Sequence, residues 1–192
     1  ETIFPEDVEV NLTGISLIFS KNNKYLIKSL MTSLVLAFVL VSIIMGLMFG
    51  RFRVIFISLV PNFIPLLVTA GIMGYLGLAL KPSSVLIFSI AFGISVDDAL
   101  HFMAKYRQEL RNHNWEISKT VELALKETGT SMIYTSLVLF FGFIIFYPSS
   151  FGGTSMLGIL TSITLLVAMV TNVLLLPSLL ITFDVKKRNI NK

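Results

Sequence analysis

The sequence predicts an all-α membrane protein with five transmembrane helices and one interfacial helix. Of its 192 residues, 55% are hydrophobic and only 14% are charged, whereas soluble domains carry about 25% charged residues. The mean hydropathy is +0.85. Several apolar runs reach the roughly 20 residues that a helix needs to cross the hydrocarbon core of a bilayer. We therefore expect the lipid bilayer as a partner and no nucleic acid.

The first 24 residues are of mixed polarity and precede the first apolar run. Alternating apolar and polar residues in Val8–Gly14 predict a short strand that leaves a soluble domain. The chain begins with Glu1, and we expect it to be a portion of a longer protein. The membrane domain is predicted over residues 25–183, and a basic tail over residues 184–192.

Five apolar stretches follow one another between clear interruptions. The predicted spans are residues 29–49, 54–80, 84–104, 130–147 and 154–183. Arg51 ends the first, and Pro148 ends the fourth. The second contains Pro61 and Pro65, which remove backbone hydrogen bonds and are expected to kink it.

A charged stretch between the third and fourth spans carries apolar residues at roughly helical spacing. These residues are Tyr106, Leu110, Ile117, Val121 and Leu125. The pattern predicts an amphipathic helix over residues 106–126 that lies at the membrane surface.

The distribution of Lys and Arg predicts the orientation of the chain, because cytoplasmic loops carry an excess of both. Eleven of the 15 basic residues fall on one side of the predicted spans: in the loop after the first span, between the third and fourth spans, and in the tail. That side is predicted to be cytoplasmic, so the tail lies inside and the N-terminal segment outside.

Two adjacent carboxylates, Asp97 and Asp98, lie within the third span. The uncharged stretch that precedes them, Ser84–Val96, has 13 residues and covers roughly 20 Å, which is too short to cross. Both acids are therefore predicted to lie within the membrane, where each costs at least about 3 kcal/mol and such groups mark ion pathways. The alternative interpretation places them at the cytoplasmic end of a short helix as solvated cap residues.

His101 follows one turn after the two acids on the same helical face. It is a candidate for passing protons to bulk solvent, with an interfacial hydrogen-bonding role as the alternative. Further hydroxyl and amide candidates lie on the neighbouring spans: Thr135 and Ser136 on the fourth, and Thr161 and Asn172 on the fifth. Thr161 and Asn172 belong to a stripe of small and polar residues that also favours close helix packing.

The sequence offers neither a catalytic nor a metal site. It has two His and no Cys, and no Lys or Arg lies at mid-depth in any predicted span to pair with the acids. An intramembrane aspartyl protease would need acids on two facing helices, whereas the membrane acids here lie on one helix. We therefore expect no enzyme, no metal and no cofactor, with protons as the coupling ion and sodium as the alternative.

The motif Gly93-Ile-Ser-Val-Asp97-Asp98-Ala-Leu-His101-Phe resembles the fourth-helix motif of the resistance-nodulation-division (RND) superfamily of transporters. It is most similar to the branch of lipid and hydrophobe exporters that resemble mycobacterial membrane protein large. Two later stretches agree with this resemblance: Glu127-Thr-Gly129 with Thr135-Ser136, and Leu175-Leu-Pro177.

The resemblance implies a twelve-helix bundle of two similar halves, of which this chain is the C-terminal five-helix portion. It implies that residues 1–24 end an extracytoplasmic porter domain, and that the protein lies in a bacterial inner membrane. It also implies a proton relay through Asp97 and Asp98, with a hydroxyl at Thr135. A matching N-terminal half, or an oligomeric partner, is expected to cover the acidic face.

The predicted function is therefore proton-driven export of lipids or hydrophobic compounds. Two alternatives remain open at this point. One is a lipid-sensing module that resembles the sterol-sensing domain, and the other is an accessory module of protein export. Neither would carry a small-molecule flux.

Overall fold

A computed structural model describes residues 15–50, 52–78, 81–112 and 116–188, and these residues form helices joined by short turns. The helices are α1 (Ile15–Phe49), α2 (Phe52–Tyr75), α3 (Pro82–Asn112), α4 (Ile117–Ile144), α5 (Gly152–Val170) and α6 (Leu176–Arg188), and a π-helical turn (Thr171–Leu175) joins α5 to α6. The strand predicted at Val8–Gly14 lies outside the described residues, as does the end of the predicted tail.

Five helical segments within the described ranges are long and apolar enough to cross a membrane. They are Ser20–Phe49, Val54–Tyr75, Pro82–Asn112, Ile117–Ile144 and Gly152–Phe183. The last of these contains α5, the π-helical turn and most of α6. The predicted fold class, an all-α membrane protein with five spans, is therefore confirmed.

The second span is shorter than the sequence predicts, because α2 ends at Tyr75 rather than near residue 80. Gly77 takes a positive φ of 64°. The Leu78 amide donates to the Met73 carbonyl at 2.9 Å, and the Gly77 amide donates to the Gly74 carbonyl at 3.2 Å. This is a glycine C-cap of the Schellman type, which an apolar run by itself does not reveal.

The amphipathic helix predicted over residues 106–126 differs from what the structure shows. α3 continues to Asn112 and α4 begins at Ile117, so the apolar residues of this region extend two membrane helices. Tyr106, Leu110 and Val121 are buried in a core cluster with Phe102 and Ala124. Their apolar face packs against the bundle instead of the membrane surface, because both helices continue beyond the predicted span.

The third span lies at the centre of the bundle. α3 packs against α1, α2, α4 and α5, and 56% of its most apolar stretch is buried, against 6% for α1. α1 packs on one side, against α2 and α3. A movement of α3, the helix that carries the acids, would therefore change its contacts with all four of these helices.

α4 and α5 approach each other closely at Gly158. A Cβ atom added there would lie 2.8 Å from the Phe143 carbonyl oxygen and 2.8 Å from the Phe146 Cβ. Gly158, Thr161, Ala168 and Asn172 are all buried, so the stripe of small and polar residues faces the bundle.

Candidate functional site

Asp98 lies well inside the span. One turn before it, the Ser95 hydroxyl donates to Asn62 Oδ1 at 2.6 Å, and Asn62 lies ten residues after the start of α2. Ten residues cover about 15 Å of helix axis, and one turn of α3 brings Asp98 about 4.5 Å back toward that end. Asp98 therefore lies roughly 10 Å inside the level at which α2 begins.

Asp98 is buried between α3 and α4. Its residue is 7% exposed, and the Ser136 hydroxyl of α4 lies within hydrogen-bonding reach of its carboxylate. The ionisable groups that act on it are Asp97 and His101, both on its own helix. In the described part of the chain no Lys or Arg acts on Asp98, so a proton is the simplest means of neutralising it.

Asp97 and His101 lie on a different face of α3. Their side chains are 70% and 74% exposed, and His101 Nε2 lies 3.6 Å from Asp97 Oδ1. At that distance they form a loose i,i+4 pair that points away from the other described helices. The two adjacent acids thus have separate environments, one inside the bundle and one on its surface.

Thr135 and Ser136 are neighbours on α4, and only Ser136 turns toward Asp98. Thr135 is exposed, and its hydroxyl donates to the Ser131 carbonyl at 2.8 Å. Ser136 is buried. The geometry therefore brings together Asp98 and Ser136, whereas Thr135 lies on the outer face of the helix.

A buried network of amide and hydroxyl groups lies one turn from Asp98. Asn172 Nδ2 donates to the Ser95 carbonyl at 2.9 Å and to the Ser95 hydroxyl at 3.2 Å. The same Ser95 hydroxyl donates to Asn62, and Asn62 Nδ2 donates to the Ser58 carbonyl at 2.8 Å. Three spans are thus joined at mid-depth, where unsatisfied polar groups are costly.

The π-helical turn begins with two buried polar residues, Thr171 and Asn172. A π-helical turn inserts an extra residue into the helix, and such turns are frequent at functional sites. The Thr171 hydroxyl donates to the Pro61 carbonyl at 3.0 Å. That carbonyl would bond to the amide of residue 65 in an unbroken helix, but Pro65 has no N–H. Thr171 therefore satisfies an acceptor that the proline leaves free.

Two buried polar atoms of the described residues have no hydrogen-bond partner: Asn172 Oδ1 and Thr161 Oγ1. Thr161 lies one turn before Thr164, whose hydroxyl contacts the Thr69 hydroxyl of α2. α5 therefore presents polar groups to the bundle at two levels.

Sequence reasoning missed three members of this network: Asn62, Ser95 and Thr171. A signal was present at Asn62, since an amide within a predicted span is costly unless it is bonded. Ser95 and Thr171 gave no such signal, because Ser and Thr often bond to their own helix. Across the described ranges, no group of three His, Asp or Glu side chains could hold a metal ion.

Comparison with known proteins shows which family the sequence resembles. The sequence model of the MMPL family matches residues 1–189. A protein of Methanocaldococcus jannaschii described as a membrane protein is 27% identical over 181 residues, which cover 94% of this chain and 46% of that protein.

Two bacterial relatives match shorter stretches. The hopanoid transporter HpnN of Burkholderia multivorans is 33% identical over 136 residues, 68% of this chain and 15% of the transporter. A Streptomyces coelicolor protein described as membrane protein ActII-3 is 26% identical over 108 residues, 56% of this chain and 15% of that protein. The chain thus spans less than half the length of each of these relatives.

Proposed function

The chain belongs to the MMPL family, and from that premise we propose that it is part of a transporter that exports lipids or other hydrophobic compounds, driven by protons. One relative is a hopanoid transporter, which supports a lipid-like substrate. The observation that carries the proposal is Asp98, an acidic residue that is 7% exposed within a membrane-spanning helix. Such residues are rare in spans and belong to ion pathways.

The proposed coupling step is the uptake and release of a proton at Asp98. The charged form is costly between apolar helices, and a proton removes that cost without a cationic partner. Its loss leaves a carboxylate that attracts the Ser136 hydroxyl and other donors. Because α3 packs against four helices, a small shift of α3 in response to this charge would be transmitted through the bundle.

Asp97 and His101 have a second role in this proposal, as the surface on which a matching half or an oligomeric partner packs. A carboxylate that faced hydrocarbon at this depth would cost at least about 3 kcal/mol. Pairing with another helical repeat, which is common in secondary transporters, would cover it or enclose it in a wet cavity. In this arrangement the basic end of the bundle faces the cytoplasm of a bacterial cell.

The experiment is transport by the full-length protein in liposomes, with a fluorescent lipid as substrate and an imposed pH gradient. Asp98→Asn removes the titratable group while its shape is kept, and we expect flux to fall to the background of empty liposomes. Asp97→Asn is also expected to abolish flux. Glu122→Gln is the matched control, because Glu122 is exposed on α4 outside the acidic site, and it should transport normally.

Full flux in the Asp97→Asn/Asp98→Asn double variant would refute the proposal. Flux that follows a sodium gradient and ignores the pH gradient would replace protons by sodium. Lipid binding without flux under any gradient would favour the lipid-sensing alternative.

A further inference from the structure

A cavity of about 540 Å³ opens between α1 and α3, away from the acidic site. The described residues that line it are Met48, Ala104, Arg107, Gln108, Arg111 and Asn112. Arg107 lies nine residues after Asp98, about 13 Å along α3. The proposed proton step uses none of these residues.

The polar side chains that line the cavity are two arginines and two amides, and all four carry N–H donors. Arg107 and Arg111 are one turn apart, and so are Gln108 and Asn112, whose amides also carry N–H donors. Among the residues that the structure describes, no acidic side chain lines the cavity. The nearby Lys105 instead pairs with Glu109 at 3.1 Å and Glu127 at 2.6 Å.

The cavity lies at the C-terminal ends of α1 and α3. Met48 is the penultimate residue of α1, and the Arg107 guanidinium lies 5.9 Å from the ring centre of Phe49, the last one. A guanidinium within about 6 Å of an aromatic ring centre is attracted to the ring face. α3 ends at Asn112, which itself lines the cavity.

An apolar stripe on α1 leads away from the cavity toward the middle of the membrane. Leu40 and Ile44 precede Met48 at intervals of four residues and therefore share its face. Both are about half exposed, at 52% and 49%. An acyl chain that lies along this stripe would bring its phosphate to the two arginines.

We propose that this cavity binds the headgroup of an anionic phospholipid, with the phosphate held by Arg107 and Arg111 and the acyl chains lying along Leu40 and Ile44. Arginine suits this role because its planar fork bonds phosphate oxygens in pairs. Basic pockets between transmembrane helices bind anionic headgroups on the cytoplasmic side, which is where the Lys and Arg distribution predicts this end to lie. The inference does not depend on proton coupling.

The test is native mass spectrometry of the delipidated full-length protein, titrated with phosphatidylglycerol or with phosphatidylethanolamine of the same acyl chains. We expect tighter binding of phosphatidylglycerol. Arg107→Gln/Arg111→Gln should weaken it by tenfold or more, since each basic residue near the surface contributes about a factor of five. Lys119→Gln/Lys126→Gln is the matched control, because both lysines are exposed on α4 outside the cavity and the variant loses the same charge.

A second variant keeps both arginines and tests the cavity itself. Ala104→Glu introduces a carboxylate at an exposed lining position and should also abolish the preference for phosphatidylglycerol. Equal binding of the two lipids, or an unchanged preference in both cavity variants, would overturn the proposal. Displacement of phosphatidylglycerol by inorganic phosphate at equal concentration would show an anion site without lipid recognition, which also overturns it.

Discussion

Asp97 and Asp98 are neighbours in sequence, but successive side chains on a helix point about 100° apart, and α3 places them in different environments. Asp98 is buried beside Ser136, whereas Asp97 lies on the surface with His101. A single proton shared by the pair is therefore not needed. Both replacements are expected to abolish flux, but for different reasons: Asp98→Asn removes the buried proton site, whereas Asp97→Asn changes the surface on which a partner packs.

The contact between Asp98 and Ser136 predicts which hydroxyl assists the proton step. A hydrogen bond to a charged group contributes about 1.5–3 kcal/mol. Its loss disfavours the ionised carboxylate, which is the form that Asp98 takes when it releases its proton. Ser136→Ala should therefore slow proton-driven flux by tenfold or more in the liposome assay. Ser131→Ala, which removes an exposed hydroxyl on the same helix, should leave flux unchanged.

The Thr135→Val variant tests whether the hydroxyl that assists the proton step is Ser136, as the geometry indicates, or Thr135, as the family resemblance implies. The resemblance assigns the relay hydroxyl to Thr135, whose side chain bonds to its own helix in the structure. If Thr135→Val slows flux more than Ser136→Ala, the rotation of α4 described here does not represent the working state.

At the scale of the elements, the number of spans could be predicted from the sequence, but the ends of α2 and α3 and the start of α4 could not. Apolar length is enough to identify a span. The end of α2 depends on one glycine, Gly77, which adopts a left-handed conformation, and the extended ends of α3 and α4 depend on packing against each other. The contact of the π-helical turn with α2 is equally a matter of packing, because the Thr171 hydroxyl lies 3.0 Å from the Pro61 carbonyl, which Pro65 leaves free, as well as 3.0 Å from the Ala168 carbonyl of its own helix.

Gly158 gives a prediction about the contact between α4 and α5. An added methyl group would meet the Phe143 backbone, which cannot rotate away, and overpacking of this kind typically costs about 1–3 kcal/mol. Gly158→Ala should therefore lower the Tm of the protein in detergent by several degrees. Gly142→Ala is the control, because nothing lies within 4 Å of a Cβ at that position. Equal Tm values for the two variants would mean that the helices do not approach so closely.

At the scale of the whole molecule, the acidic site can be only partly predicted from the sequence. The depth of Asp98 follows from the length of the preceding apolar stretch. The adjacent carboxylates of Asp97 and Asp98 identify the third span as the candidate site from the sequence alone. The rotation of each helix does not follow from the sequence, because both faces of these spans are largely apolar. That rotation decides that Asp98 and Ser136 face each other, while Asp97 faces outward.

The outward direction of Asp97 predicts that another part of the assembled protein covers this face. A spin label at His101→Cys in the membrane-embedded full-length protein should be poorly accessible to oxygen, which concentrates in lipid. A label at Leu47→Cys, on a residue that is 82% exposed on α1, should be readily accessible. This chain has no Cys, and any Cys elsewhere in the full-length protein is replaced before labelling. Equal oxygen accessibility at both sites would place the acidic face against lipid and contradict the expected partner.

The most direct test of proton binding at Asp98 is infrared difference spectroscopy of the full-length protein in membranes, recorded between acidic and alkaline pH. A protonated carboxyl group has a C=O stretching band that a carboxylate lacks. Asp98 is one of 11 Asp and Glu residues in this chain, and the other carboxyl groups also contribute to this band at acidic pH. We predict that the band at acidic pH is weaker in Asp98→Asn than in the wild type by the contribution of one carboxyl group, and that this component is lost at alkaline pH. An identical band in wild type and Asp98→Asn would contradict the account, because Asp98 would then not be the group that takes up the proton.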